Sequence, residues 1–169
     1  MATVTCQFEA VPEEIDEARW RLREDRPLSK PDTNLFVRQA LVFPTLLRCG
    51  DAVVFDQPVP ALDFALCVAS CLAALQKRGD HISMDFDECA LRLECRAMQA
   101  QSVSVIAKIG RRRLSGGCRL QDLKLAIGEY ADGLRSLLRT ELSGLEGNTY
   151  LGPWLRDGDL PPRFGHCRD

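Results

Sequence analysis

The sequence predicts an α+β protein in which an antiparallel sheet of about six to seven strands carries two long helices on one face. Apolar and polar residues alternate along several short segments, which is the period of a strand with one buried side. Two longer segments, 60–79 and 119–142, repeat apolar residues every three or four positions, as amphipathic helices do. Since both kinds of apolar surface must be buried, we expect the helices to cover one sheet face and leave the other polar.

The composition is that of an ordinary globular chain. Of the 169 residues, 46% are hydrophobic and 27% are charged. This length supports a single core, and these fractions exclude a disordered, collagen-like or coiled-coil protein. We expect one α+β domain over residues 1–147. Residues 148–169 are rich in glycine and proline without a sustained period, so we expect an irregular C-terminal tail that docks on the domain.

The N-terminal quarter predicts a strand, a helix and a loop. Apolar residues alternate from Val4 to Ala10 and indicate a half-buried strand. Pro12 and the two glutamates after it indicate the start of a short surface helix that extends to about Arg26. Residues 27–34 contain two prolines and several small polar residues, which is typical of a loop.

The next segment predicts three consecutive strands. Residues 35–43 are rich in β-branched and aromatic types, so we expect a strand that Pro44 ends or kinks. Gly50 and Asp51 join two apolar runs at 45–49 and 52–55, and a Gly-Asp pair in this position indicates a two-residue hairpin.

Two helices then flank a run of strands. Pro60 indicates the start of the first helix and Gly79 its end. Alternation predicts the strands 82–86, 91–95 and 103–109, with a short fourth strand at 114–117. The second helix spans 119–142, and its apolar stripe is Leu120, Leu123, Ile127, Tyr130, Leu134, Leu137 and Leu138.

Charge and targeting features favour a soluble cytoplasmic protein. The formal net charge is −2 and the isoelectric point is about 5.8, which argues against a dedicated nucleic-acid binder. The basic run 111–113 is short and is expected to be a solvated turn between strands. The N-terminus lacks the pattern of a signal peptide, and the most apolar stretch, 61–75, is too short to span a membrane.

No segment has the pattern of a catalytic, cofactor or metal site. There is neither a P-loop nor a GxGxxG motif, so we expect no cofactor. We expect the eight cysteines to be reduced. Cys6, Cys67, Cys71 and Cys95 coincide with apolar faces, and Cys67 and Cys71 in particular are expected to be core thiols rather than metal ligands. The sequence assigns no role to the other four, Cys49, Cys89, Cys118 and Cys167. His81 is expected to be a solvated turn histidine, so we predict no catalytic residue and no metal ligand.

Acidic residues cluster around the predicted hairpin at 82–95. We predict a partner-binding surface there, with acids that attract a basic protein. Arg92 and Arg96 are interspersed among these acids, so an ordinary charged sheet surface with partial internal neutralisation is the alternative. The candidate partner-binding residues are Asp85, Asp87, Glu88 and Glu94.

The order of elements resembles that of small bacterial immunity proteins of polymorphic toxin systems. The resemblance covers about residues 35–145: the helix that begins Pro60-Ala-Leu-Asp-Phe-Ala-Leu and ends at Gly79, three short strands, and the helix from Leu120-Gln-Asp-Leu to Leu142. It rests on element order and spacing and transfers no individual residue. The resemblance implies a cytosolic, non-catalytic protein that binds and blocks one cognate toxin through the sheet face, the acidic hairpin and nearby loops.

Three functional hypotheses follow from the sequence. The first is an immunity protein that binds and neutralises a bacterial toxin or effector, for example a basic one. The second is a secretion-type chaperone or adaptor, which an exposed apolar stripe would favour. The third is an enzyme without a recognisable motif, which a deep pocket holding His81, a cysteine and a carboxylate would favour.

Overall fold

The computed structural model describes residues 3–22, 28, 30–78, 81–161 and 167–168. These residues confirm the α+β class: seven antiparallel strands, a further strand of two residues, and five helices, of which two are long. The strands divide between two sheets rather than forming one. No helix in the described ranges combines the length and the apolar composition that crossing a bilayer requires.

The first sheet is formed by the N-terminal third of the chain in the order β1-β2-β3. Gly50, with φ of +61°, opens the two-residue turn between β2 and β3, which confirms the predicted hairpin. The elements of this part are β1 (Val4–Phe8), α1 (Pro12–Leu22), α2 (Lys30–Gln39), β2 (Val42–Cys49) and β3 (Ala52–Pro60).

The second sheet is an antiparallel meander in the order β7-β6-β5-β4, with the two-residue strand β8 paired to the outer edge of β4. The predicted strands and both long helices are confirmed here. The elements are α3 (Ala61–Arg78), β4 (His81–Phe86), β5 (Leu91–Ala97), β6 (Ser102–Ile109), β7 (Arg112–Arg119), α4 (Leu120–Glu141), α5 (Gly152–Asp157) and β8 (Cys167–Arg168).

The helix α3 explains why there are two sheets. Every residue from 61 to 68 is buried, so the first two turns of α3 need protein around their whole circumference. One sheet covers only one side of a helix. In the fold, β3 leads directly into α3, and the four-stranded part of the second sheet follows it, so both sheets can contribute to its cover.

The expectation of a strand from Leu35 to Phe43 is wrong for its first half. Residues 30–39 form α2, because Thr33, Phe36, Val37 and Ala40 are buried together at helical spacing. The β-branched and aromatic composition favoured a strand there, and tertiary burial of one helical side outweighed it.

Pro44 does not end a strand, contrary to one of the two expectations for it, but lies inside β2. The strand β1 ends opposite Thr45, so Pro44 lies just beyond the stretch that β1 covers. Its carbonyl still accepts a hydrogen bond from the backbone N–H of Glu9 at 3.0 Å. A proline is tolerated in a strand where its missing N–H is not required by a neighbour.

The C-terminal segment is more regular than expected, because 152–157 forms α5. Asn148 organises its entry: the side-chain oxygen accepts hydrogen bonds from the backbone N–H groups of Tyr150 and Leu151 at 2.9 and 3.0 Å. The Asn148 amide donates to the Thr33 hydroxyl of α2 at 3.0 Å. Trp154 and Leu155 are buried, so this segment contributes to the core.

A chain of aromatic rings links the two sheets through the two long helices. Phe64 of α3 lies at the centre, with its ring 5.5 Å from Phe55 of β3, 5.8 Å from Phe86 of β4 and 5.2 Å from Tyr130 of α4. Tyr130 in turn packs edge-on against Phe8 of β1 at 5.1 Å. Edge-to-face aromatic contacts at these distances stabilise beyond the area they bury.

The sheets also approach each other directly, at Gly116 of β7. A Cβ atom at this position would lie 2.7 Å from the Cβ of Cys49 and 3.1 Å from a methyl group of Val54. Nearby, the thiols of Cys49 and Cys118 lie 3.7 Å apart. Only a residue without a side chain permits this spacing.

We expect Phe64→Ala to lower the free energy of unfolding by about 3–5 kcal/mol, since the ring is fully buried and its removal leaves a cavity between four elements. Urea denaturation followed by circular dichroism measures this. Leu125→Ala, at a position that is 60% exposed on α4, is the control and should change the stability by less than about 0.5 kcal/mol. Equal losses would contradict the central role of Phe64.

Gly116→Ala should destabilise the protein by about 1–3 kcal/mol, because the new methyl group must push the sheets apart. Gly117→Ala is a matched control on the same strand, since a Cβ there meets nothing within 4 Å. Comparison of the two urea midpoints tests the contact, and a Gly116→Ala midpoint equal to that of Gly117→Ala would refute it.

Candidate partner-binding face

The polar side of the second sheet is set by strand register. Directly opposite residues share a face, so the pairings of β4, β5, β6 and β7 define three rows across the sheet. We call this surface the charged face. Its rows are Asp85, Arg92, Lys108 and Arg113; Ser83, Glu94, Ile106 and Ser115; and His81, Arg96, Ser104 and Gly117.

Glu94 is the centre of the charged face. Arg92 and Arg96 lie two residues before and after it on β5, and therefore flank it on the same side. Arg96 Nη2 is 3.3 Å from one carboxylate oxygen and Arg92 Nε is 3.5 Å from the other, to which Lys108 Nζ also donates a hydrogen bond. His81 Nε2 completes the ring at 3.9 Å.

This ring of basic groups buries the carboxylate. Glu94 is only 3% exposed, whereas the basic side chains around it are 39–53% exposed. The hydrogen bond and the charge of Lys108, supported by Arg96, hold the pKa of Glu94 below its ordinary value, although burial opposes them. Glu94 is therefore ionised, and its carboxylate is paired with basic groups of the same protein.

The four predicted partner-binding acids separate into two groups. Glu94 points to the predicted side of the sheet but is buried, so its carboxylate is not exposed there. Asp85 is half-buried and lies 3.6 Å from Arg92 Nε. Asp87 and Glu88 are exposed and lie in the short 3-10 turn between β4 and β5 rather than on a strand.

The exposed charge on the charged face is consequently basic. It carries four cations (Arg92, Arg96, Lys108 and Arg113) against the two carboxylates of Asp85 and Glu94. The sequence drew attention to the acids and to the two arginines between them. It did not connect Lys108 with them and placed Arg113 in a solvated turn. Only the pairing of β5, β6 and β7 brings Lys108 to Glu94 and puts Arg113 on β7, opposite Lys108.

A cavity of about 660 Å³ lies elsewhere, where the end of α3 meets the start of α4 and the β5–β6 connection. Its lining includes neither His81 nor a cysteine nor a carboxylate. Lys124 provides its cation and donates a hydrogen bond to Gln76. Within the described ranges, no three His, Cys, Asp or Glu side chains are grouped so as to hold a metal ion.

The cysteines lie mainly in the core. Cys6, Cys49, Cys67, Cys95 and Cys118 are buried free thiols, and Cys89 is a partly buried one. Burial raises the pKa of the Cys95 thiol to about 12, which keeps it protonated and unreactive. Cys71 is buried as predicted but is disulfide-bonded, so the expectation of a reduced thiol is wrong at this position.

Comparisons with family models, with curated proteins and with solved structures give no match to this chain. What the charged face does must therefore be argued from its own geometry.

Glu94→Gln should lower the free energy of unfolding by about 1–3 kcal/mol at pH 7, because it leaves the surrounding cations without their anion. Since the pKa of Glu94 is lowered on folding, its contribution is complete above its ordinary value of 4.5 and is lost as the pH falls through the lower folded value. Urea denaturation of both proteins between pH 7 and pH 2 measures this difference.

Asp132→Asn is the control, since it removes an exposed carboxylate whose partner among the described residues is Arg135, one helical turn away. It should cost less than about 1 kcal/mol. A stability difference for Glu94→Gln that persists unchanged to pH 2 would show that the carboxylate charge is not its source.

Proposed function

We propose that this chain is a non-catalytic protein-binding domain, and specifically an immunity protein that binds and neutralises a cognate bacterial toxin or effector. The observation that carries the proposal is the charged face. Its long basic side chains are held around Glu94 on a rigid sheet whose other side packs into the core. Side chains fixed before association lose less conformational freedom when a partner binds, which favours recognition.

The turn between β4 and β5 supplies the acidic part of the proposed surface. Asp87 and Glu88 are both exposed, and the turn begins two residues after Asp85, at one end of the charged face. These acids remain accessible to a basic group of the partner, as the cluster at 82–95 suggested. The proposed interface thus offers charges of both signs, an arrangement that favours orientation and selectivity.

The secretion-chaperone alternative receives less support. Its expected feature is a continuous apolar stripe on a helix or sheet. The large exposed apolar residues of the described chain lie one each on separate elements or connections: Trp20, Leu35, Met98, Leu114, Leu125 and Leu160. The enzyme alternative was linked to a pocket that combines His81, a cysteine and a carboxylate, and the 660 Å³ cavity has none of the three.

The direct test uses the purified product of the gene adjacent to the one that encodes this chain. We expect a complex that survives size-exclusion chromatography and abolishes the toxicity of that product when both are produced together. Asp87→Lys with Glu88→Lys should weaken binding about tenfold at low salt, mainly through slower association, as measured by biolayer interferometry.

Asp157→Lys with Asp159→Lys is the matched control, because it changes the net charge equally at two exposed positions near α5. It should leave the affinity within about twofold. Absence of both complex formation and protection would refute the immunity proposal. Equal weakening by the two double variants would refute the assignment of the turn.

A further inference from the structure

We infer that one row of the charged face, formed by Arg92, Lys108 and Arg113, binds an acidic segment of the protein partner. We call these three residues the cation row. They lie directly opposite one another on β5, β6 and β7, so neighbouring members stand about 4.8 Å apart at the backbone. Like charges directly opposite in a sheet destabilise it. A row of this kind whose charge the protein compensates only in part therefore points to a ligand of opposite charge.

The carboxylates of the protein compensate only part of the row. Arg92 Nε lies 3.6 Å from the Asp85 carboxylate and 3.5 Å from the Glu94 carboxylate. Lys108 also forms an ion pair with Glu94. Arg113 is exposed and forms no ion pair within the described part of the chain. One buried carboxylate thus holds two cations in place while the third remains available. The side chains of Arg92 and Lys108 are still 46% and 39% exposed, and Arg113 is exposed.

The chemistry of the row fits carboxylates on an extended or helical acidic peptide. A guanidinium presents paired N–H donors that match the two oxygens of a carboxylate. Arg113 has its full set of donors open to such a group. A carboxylate between Lys108 and Arg113 would relieve their mutual repulsion, which no described acidic side chain does at Arg113.

A nucleic acid fits the row less well. The three rows of the charged face contain no aromatic residue other than His81, whereas binding of single strands relies on aromatic stacking. The chain has a net charge of −2, so a long polyanion is repelled beyond the few cations that it meets. A short acidic peptide segment needs only these few contacts.

The edge position of β7 offers a competing reason for Arg113, since charged residues on edge strands discourage pairing with other chains. Arg113→Glu separates the two roles. It keeps a charge at the edge and reverses the charge offered to a ligand. Arg48→Glu is the matched control: Arg48 is also exposed, lies on β2 of the other sheet, and forms no ion pair in the described part of the chain.

The experiment measures fluorescence anisotropy of a labelled peptide of ten glutamates titrated with the intact protein. We expect Arg113→Glu to weaken binding about tenfold, the equivalent of one charge-assisted hydrogen-bonded contact, and Arg48→Glu to weaken it by less than about twofold. Arg113→Gln should show a smaller loss in the same direction. Circular dichroism confirms that each variant is folded.

Three results would overturn the inference: no binding of the peptide at 50 mM salt, equal losses for Arg113→Glu and Arg48→Glu, or tighter and Arg113-dependent binding of a twenty-nucleotide DNA strand. The inference rests on the proposed function, but the two fail separately. If the peptide binds through Arg113 and no toxin is neutralised, the immunity proposal fails alone. If a toxin is neutralised equally well by Arg113→Glu, the cation row is not its contact.

Discussion

The packing of four elements around the ring of Phe64 is the interaction on which the rest of the fold depends. Its contacts with Phe55, Phe86 and Tyr130 join α3 to a strand of each sheet and to α4. Because α3 is buried on all sides at its start, it acts as the common support of two sheets that share no hydrogen-bonded strand pair in the described chain. The buried Tyr130 hydroxyl forms a hydrogen bond with the Thr45 hydroxyl of β2 at 3.3 Å. The polar group in the aromatic core therefore has a hydrogen-bond partner.

That packing also determines which side of the second sheet faces solvent. The helices and the first sheet pack against the apolar side of β4 to β7. The opposite side carries the charged residues. On that side Glu94 is the residue around which its neighbours are arranged, as Phe64 is in the core. A single buried carboxylate organises Arg92, Arg96 and Lys108, so the surface is both basic and ordered. The ion pairs that stabilise this region also hold its basic side chains in place for the recognition that we propose.

Local sequence patterns predicted secondary structure correctly wherever the apolar residues of a segment followed one period. Alternation predicted β4, β5 and β6, the three-and-four spacing predicted α3 and α4, and Gly50 marked the hairpin, all confirmed. They were unreliable where two signals competed. At 35–39 the strand-like composition concealed the helical spacing of Thr33, Phe36, Val37 and Ala40. In the tail the density of glycine and proline concealed a short helix that buries Trp154 and Leu155.

The sequence by itself determined the α+β class, most strands, both long helices and the fact that acids and arginines concentrate around the β4–β5 hairpin. Only the tertiary structure decided how these charges are used. Burial of Glu94 and exposure of Asp87 and Glu88 depend on where the turn falls, while the positions of Lys108 and Arg113 depend on the register of β5, β6 and β7. Register joins residues that are far apart in the chain, and a one-dimensional pattern holds no record of which strands become neighbours. For the same reason the pattern could not distinguish one sheet from two.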